Sequence, residues 1–274
     1  MKTLDEIAAQ YSSKTAESKI DWYSPSAASY DNGRPNYPRA IISEVAAITA
    51  ISAYSKLLEI GSGPGTATQS FAELGCSIDC VEPNPKFVEI ARQRFKNHPH
   101  IRFHQSTFEE YDHESAMVDV VLAATSFHWV NKDVALAKSA ALLKSSGYLV
   151  LLWNKELQPT DGTGEQVREI HERFVPGQFL FESETQQVET LEAIGKWACD
   201  NEYFSSPHFG FTITSIRYSA QRYIDALNSY SPYLKLNDSV KSGLFKTQLD
   251  LIETEYGGAI DLKYITGYHI GQKA

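Results

Sequence analysis

The stretch 57-LLEIGSGPGTATQSF-71 sets an apolar run directly against a turn holding Gly61, Gly63 and Gly65, and a helical pattern begins straight after it. Glycine removes the Cβ and permits positive φ, so the chain can bend sharply and a polar ligand can approach the backbone at the following helix N-terminus. Read outward from this turn, short apolar runs at 57–60, 77–81, 101–104, 118–124 and 148–153 are separated by helix-length segments, with helices expected at 66–74, 86–95 and 133–143. The last of these is expected to stop before Ser145-Ser146-Gly147. Runs such as VDVVLAA and GYLVLLW are nearly continuous in apolar residues, as in strands covered on both faces, so the sheet they form is mainly parallel.

The predicted fold is α/β: a doubly wound, mainly parallel, seven-stranded sheet with a helical cap inserted after strand 5. Its divisions are an N-terminal helical segment at 1–28, the α/β core at 29–154, the cap at 155–202, and 203–274, which completes the sheet with two further strands, partly antiparallel, and further helices.

Composition limits what this fold can serve. The chain has 274 residues, 42% of them hydrophobic, enough for one large core or a domain with a subdomain. With 25 basic against 34 acidic residues its formal charge is −9, which argues against a surface for nucleic-acid phosphates or anionic lipid. Cys76, Cys80 and Cys199 form no paired motif and are expected to be reduced, buried thiols. No apolar segment reaches the length of a membrane span, and the expected location is the cytoplasm, as a monomer or homodimer.

The spacing Gly61-x-Gly63-x-Gly65 departs from a dinucleotide fingerprint, because Thr66 stands where a third small residue is needed and Pro64 removes one N–H. The next strand ends in CVEPNP, placing Glu82 17 residues after Gly65. A carboxylate there can accept hydrogen bonds from both hydroxyls of an unphosphorylated ribose. Taken singly, a glycine turn is often only a turn and a strand-end Glu only a cap; their order, strand, turn, helix, strand, acid, is what selects a nucleoside site.

LLEIGSGPGT, CVEPNP, VDVVLAATSFHWV and LLKSSGYLVLLWN together resemble the successive motifs of class I S-adenosylmethionine-dependent methyltransferases, whose fold is Rossmann-like, and YDNGRPNYP at 30–38 resembles the trans-aconitate methyltransferase-like branch. The resemblance implies S-adenosylmethionine as cofactor and places Gly61, Ser62, Gly63 and Gly65 against its methionine part, Glu82 on the ribose and Pro83 beside the adenine. It also implies that Thr107 and Phe108 border the adenine edge, although the Asp or Glu common there is missing, and that Ala123, Ala124 and Thr125 border the methyl group. Tyr30 and Arg34 match positions that close over the cofactor; Arg34 either pairs with the cofactor carboxylate or forms a salt bridge, for instance to Glu59.

His128 in TSFHWVN is the one general-base candidate at the ligand edge, the alternative being that it packs beneath the next helix. His98, His100 and His104 lack an accompanying carboxylate cluster and are read as solvated, so no metal is expected. The reaction implied is methyl transfer to a small-molecule acceptor. A carboxylic acid is one candidate, and an Arg or Lys among Lys155, Arg168, Arg173, Arg217 and Arg222 would then have to meet it. The alternative is a protein that binds S-adenosylmethionine or S-adenosylhomocysteine without transfer, its acceptor space blocked by the cap. A dinucleotide oxidoreductase is a third reading, against which Thr66 argues.

Overall fold

The computed structural model describes residues 14–177, 182–199 and 201–274. Residues 1–13 of the expected N-terminal segment, 178–181 and 200 of the expected cap, and the side chain of Cys199 lie outside the described residues.

Strands β1 (Lys56–Ile60), β2 (Ser77–Val81), β3 (Ile101–His104), β4 (Val118–Ala124) and β5 (Leu143–Asn154) alternate with helices α4 (Thr66–Ala72), α5 (Pro85–Arg94) and α6 (Lys132–Leu142). Before them come α1 (Ala16–Asp21), α2 (Ala27–Gly33) and α3 (Arg39–Thr49). After them come the two-residue β6 (Gln158–Pro159), α7 (Asp161–Phe174), α8 (Glu184–Cys199), β7 (Phe204–Ser219), α9 (Ala220–Asn228), α10 (Ser231–Leu234), α11 (Asp238–Glu255) and β8 (Ala259–Lys273).

Among the described residues the sheet has eight strands in the order β3-β2-β1-β4-β5-β8, with β7 and the short β6 both paired to β8. β1 to β5 are parallel to one another, while β8 runs antiparallel to β5 and to β7. The expected seven strands are thus present, and β6 continues the line of β5 along β8. The chain winds outward from β1 to β3 and then returns to the other side of β1 as β4. The reversal of strand order between β1 and β4 opens a crevice at their carboxyl ends, where ligands of such sheets bind.

Strand alternation divides the core. Leu58, Val121, Ala123, Leu149 and Leu151 face one layer, covered by α6 and α8, while Leu57, Val120, Leu122, Val150 and Leu152 face the other, covered by α3, α4 and α5. Full burial of each such side chain contributes about 1.5–3 kcal/mol. A separate apolar cluster joins α7, α9, α10 and α11 to the far ends of β7 and β8 through Val167, Tyr218, Tyr223, Leu244 and Leu262.

The helix starts have clear causes. Asn84 Oδ1 accepts the amides of Lys86 and Phe87, with Pro85 in the first turn of α5, and Asn131 Oδ1 accepts those of Asp133 and Val134. α6 stops at Leu142, but Ser145, Ser146 and Gly147 form no loop: β5 begins at Leu143, which pairs with Val118 ahead of the irregularity between Val118 and Val120. Cys76 and Cys80 are buried free thiols, and no helix among the described residues is long and apolar enough to cross a membrane.

Candidate functional site

A cavity of about 290 Å³ follows the carboxyl ends of the strands from β3 to β5, close to the lower end of the roughly 300–1,000 Å³ usual for small-molecule pockets. The loop after each of the five parallel strands contributes to it: Thr107 and Glu109 after β3, Glu82 and Pro83 after β2, Gly61 and Gly63 after β1, Thr125, Ser126 and His128 to Val130 after β4, and Glu156 after β5. A smaller cleft of about 30 Å³ adjoins it, lined by Glu59, Ser62, Arg34, Tyr37 and Lys155.

Glu82 is the fixed point. It is buried, its Oε2 accepts the Gly63 amide at 2.8 Å, and its Oε1 accepts the Asn84 amide at 2.8 Å. Burial drives its pKa up to about 7 against those two hydrogen bonds. The carboxylate therefore lies directly against the glycine bend, and both border the cavity.

The bend offers its amides to the protein, not outward as the sequence suggested. Gly61 N–H and Ser62 N–H both donate to Val81 O, Gly63 N–H to Glu82, and Gly65 N–H to Ser62 O. The bare positions have three separate causes. A Cβ on Gly61 would stand 2.7 Å from Ser126 Cβ, and one on Gly65 would stand 2.5 Å from the Phe95 ring. Only Gly63, at φ +57°, has nothing within 4 Å of that position, so it alone leaves room for a ligand.

Of the expected contacts, Tyr30, Arg34, Gly61, Gly63, Glu82, Pro83, Thr107, Phe108, Ala124 and His128 line the main cavity and Ser62 the smaller cleft. Two do not. Ala123 is fully buried in the core layer on the other side of the strand from Ala124, and Gly65 packs against Phe95. Thr107 Oγ1 donates to Glu110 Oε2 and accepts the Glu110 amide. The acid absent from its expected place after β3 is matched by Glu109, which borders the same end of the cavity.

Thr125 holds φ +55°, an uncommon and strained state for a β-branched residue, costing of order 1–3 kcal/mol. It is kept there by Tyr37 OH at 3.0 Å from its Oγ1, by the Asn154 amide donating to the same Oγ1 at 3.3 Å, and by its own amide donating to Leu152 O. The kink turns the chain from β4 into the loop that carries Ser126, His128 and Trp129 to the cavity wall.

The roof comes from sequence-distant pieces. α7 and α8 supply no described side chain to the lining; α8 lies on the sheet face, with Leu191 and Ala198 in the core, and α7 joins α11. Tyr23 and Tyr30 instead meet Tyr230, Ser231 and Pro232 over the opening. Ser231 Oγ accepts from Trp22 Nε1 at 3.2 Å and shares a hydrogen bond with Tyr23 OH at 2.9 Å. Tyr23 packs edge-on against Trp129, with ring centroids 5.7 Å apart.

Arg34 makes no salt bridge to Glu59. Its Nε donates to Ser229 Oγ and its Nη2 to Ser229 O, each at 2.8 Å, and the guanidinium lies 4.8 Å from the Tyr30 ring and 4.0 Å from that of Tyr230. Glu59 accepts Thr68 Oγ1 at 2.6 Å, and burial raises its pKa to about 8. Glu59 Oε1 and Ser62 Oγ are buried beside the smaller cleft and meet no hydrogen-bond partner among the described residues.

His128 borders the cavity between Trp129 and Trp153, with ring centroids at 5.8 and 5.7 Å, and burial lowers its pKa to about 4. Its two readings meet here: it is packed, and it borders the cavity. His104 pairs with Asp79, which also holds Arg102, and no group of three His, Cys, Asp or Glu side chains among the described residues is disposed to hold a metal.

Glu59 and Glu82 both have folded pKa values above the ordinary carboxyl value of 4.5. At these two carboxyls the fold holds protons that the unfolded chain has lost between about pH 4.5 and 8, a contribution to stability that is lost as pH rises through that window. His128 and His269, whose pKa values burial lowers to about 4, work the opposite way below about pH 6.5. Thermal unfolding of the ligand-free protein is expected to show a Tm that falls from pH 7 to 8, above the histidine range, with the slope reduced in Glu59→Gln.

Comparison with known proteins agrees with the geometry. Residues 58–151 match the methyltransferase domain family. An uncharacterized methyltransferase of Mycobacterium bovis is 31% identical over 125 residues, 46% of this chain and 49% of that protein. A probable S-adenosylmethionine-dependent methyltransferase of Saccharomyces cerevisiae is 27% identical over 124 residues, 44% of this chain and 42% of that one. The chain spans about half the length of the curated relatives it matches. In fold it is similar to a putative type II methyltransferase from Anaeromyxobacter dehalogenans, with a TM-score of 0.61 at 17% identity over 87% of this chain and 97% of the other. The similarity to the methyltransferase domain family lies in residues 58–151.

Proposed function

We propose that the chain is an S-adenosylmethionine-dependent methyltransferase acting on a small-molecule acceptor. The observation that carries this reading is Glu82, pinned by two amides against the glycine bend inside a cavity that continues past the bend to the end of β5.

The residues fit the cofactor. The charge-accepting face of Glu82 suits two ribose hydroxyls, and Pro83, the Phe108 backbone and Glu109 border the space for an adenine. The unpartnered Glu59 Oε1 and Ser62 Oγ suit an ammonium. Arg34, fixed on Ser229 through Nε and Nη2 and bordering both the cavity and the smaller cleft, suits a carboxylate. The cofactor supplies a methyl group already activated on a sulfonium, so these side chains have to orient it and exclude water, and much of the rate comes from that orientation.

The β4–β5 end, with His128, Trp129, Asn154 and Glu156, is left for the acceptor. Open space there supports transfer over the binding-only alternative, which requires that region to be blocked. Titration calorimetry with S-adenosylhomocysteine, followed by radiolabelled methyl transfer to a panel of amines, acids and phenols, tests the reading. No cofactor binding would overturn it, and binding without transfer to any acceptor would favour the alternative.

Two further results are expected. An ammonium beside Glu59 and hydroxyls donating to Glu82 both favour the charged carboxylates, so S-adenosylhomocysteine binding at pH 7 should release roughly one proton. Calorimetry in buffers of different ionisation enthalpy measures this, and zero release would take both carboxylates out of contact with the ligand. His128 is neutral from about pH 5 upward, so the kcat profile should show no inflection between pH 6 and 7. An inflection there that disappears in His128→Gln would make it a titrating base.

A further inference from the structure

We propose that the acceptor carries a positively charged group, an ammonium or guanidinium, and that Glu156 binds it at the β5 end of the cavity. The proposal rests on the methyltransferase reading above. Adjacent strands stand about 4.8 Å apart, so a ligand whose ribose lies at β2 and whose amino-acid part lies at β1 has its reacting end turned toward β4 and β5. Glu156 is three strands from Glu82 in that direction. Its side chain is 57% exposed although protein surrounds it, because it faces the cavity.

The other charges at this end are already engaged. Lys155 Nζ lies 2.7 Å from Glu182 and 3.6 Å from Glu156, so its nearer partner is Glu182. Arg34 is held on Ser229 and, in the reading above, on the cofactor's carboxylate. Burial works to raise the Glu156 pKa, but Lys155, its own backbone amide and Arg34 outweigh this and keep the carboxyl below its usual value. Glu156 is therefore charged throughout the working range.

The surrounding rings suit a cation as well. Tyr23 and Trp129 border the same space, beside the Tyr30 and Tyr230 rings that hold Arg34, and aromatic faces attract positive charge. A carboxylate acceptor finds no comparable partner. Arg217 pairs with Asp261, Arg222 donates to Asn32 O and lies over the Tyr218 ring, Arg173 lies over Phe174, and neither they nor Arg168 line the cavity.

The test uses the full chain saturated with S-adenosylhomocysteine and two probes matched in ring and chain, 2-phenylethylamine and phenylacetate, followed by nuclear magnetic resonance titration. The amine should bind at least about tenfold more tightly than the acid, and the difference should shrink to within about threefold in Glu156→Gln, with S-adenosylhomocysteine affinity within about twofold of the parent. Equal binding, preference for the acid, or no binding of either probe by the unaltered protein would overturn the proposal, as would a preference that survives in the variant. Failure of S-adenosylhomocysteine itself to bind would instead remove the methyltransferase reading, and this proposal with it.

Discussion

Glu82→Ala is expected to weaken S-adenosylhomocysteine binding roughly 10- to 150-fold, the equivalent of about 1.5–3 kcal/mol for hydrogen bonds to a charged acceptor. Two losses combine. The ribose hydroxyls lose their acceptor, and the amides of Gly63 and Asn84, each 2.8 Å from a carboxylate oxygen, lose theirs. The bend is thereby released at the one position where the backbone leaves room for a ligand. Glu82→Gln sharpens the test, because an amide side chain keeps the volume but sets an NH₂ group against one of those two donors. A substantial part of the loss should remain with that variant, and the stability of the ligand-free protein should change far less than its affinity. Titration calorimetry on both variants decides it, and unchanged affinity in Glu82→Ala would take Glu82 out of the site.

Gly33→Ala should lower stability by about 2–3 kcal/mol, a Tm drop of about 5–10 °C, and weaken cofactor binding at least about tenfold. A Cβ at Gly33 would stand 2.2 Å from Ala226 N and 2.5 Å from Ala226 Cα. That is over an ångström short of the ~3.5–4.0 Å at which such atoms meet, and the obstructing atoms are backbone, so no side chain can turn aside. The seam between α2 and α9 must open. It also carries the Asn228 bond to Ser29 at 3.0 Å, the Arg222 bond to Asn32 O at 3.1 Å and the grip of Arg34 on Ser229. Tyr30 and Arg34 would both shift relative to the cavity. Calorimetric unfolding and cofactor titration together check the prediction; wild-type affinity in a destabilised Gly33→Ala would separate the roof from the site.

The parallel strands were legible because residues buried on both faces leave nearly unbroken apolar runs, as in Val118–Ala124 with Asp119 its one polar residue, and the pairing of turn and acid was legible because both follow strands directly. What each glycine avoids could not be read. Ser126 and Phe95, the side chains that exclude a Cβ from Gly61 and Gly65, lie 65 and 30 residues further along, in contacts created by the fold. Ala123 and Ala124 differ only in strand parity, and the residue at which β4 ends decides which of them faces the cavity. The roof was the least legible part. Trp22 and Tyr23 meet Ser231 across more than 200 positions, and nothing local distinguishes those aromatic side chains from core. Glu156 was within reach: it stands just beyond the carboxyl end of an apolar strand, as Glu82 does.

The placement of β8 has a consequence for synthesis. This strand lies between β5 and β7, yet it is translated after both. Until it leaves the ribosome, the nascent chain shows two raw sheet margins, one along a half-built apolar layer and one along a 16-residue ribbon without a mate. Completion of the sheet therefore hinges on a late insertion, and stalled or prematurely terminated translation would leave a sticky intermediate in place of a smaller folded domain.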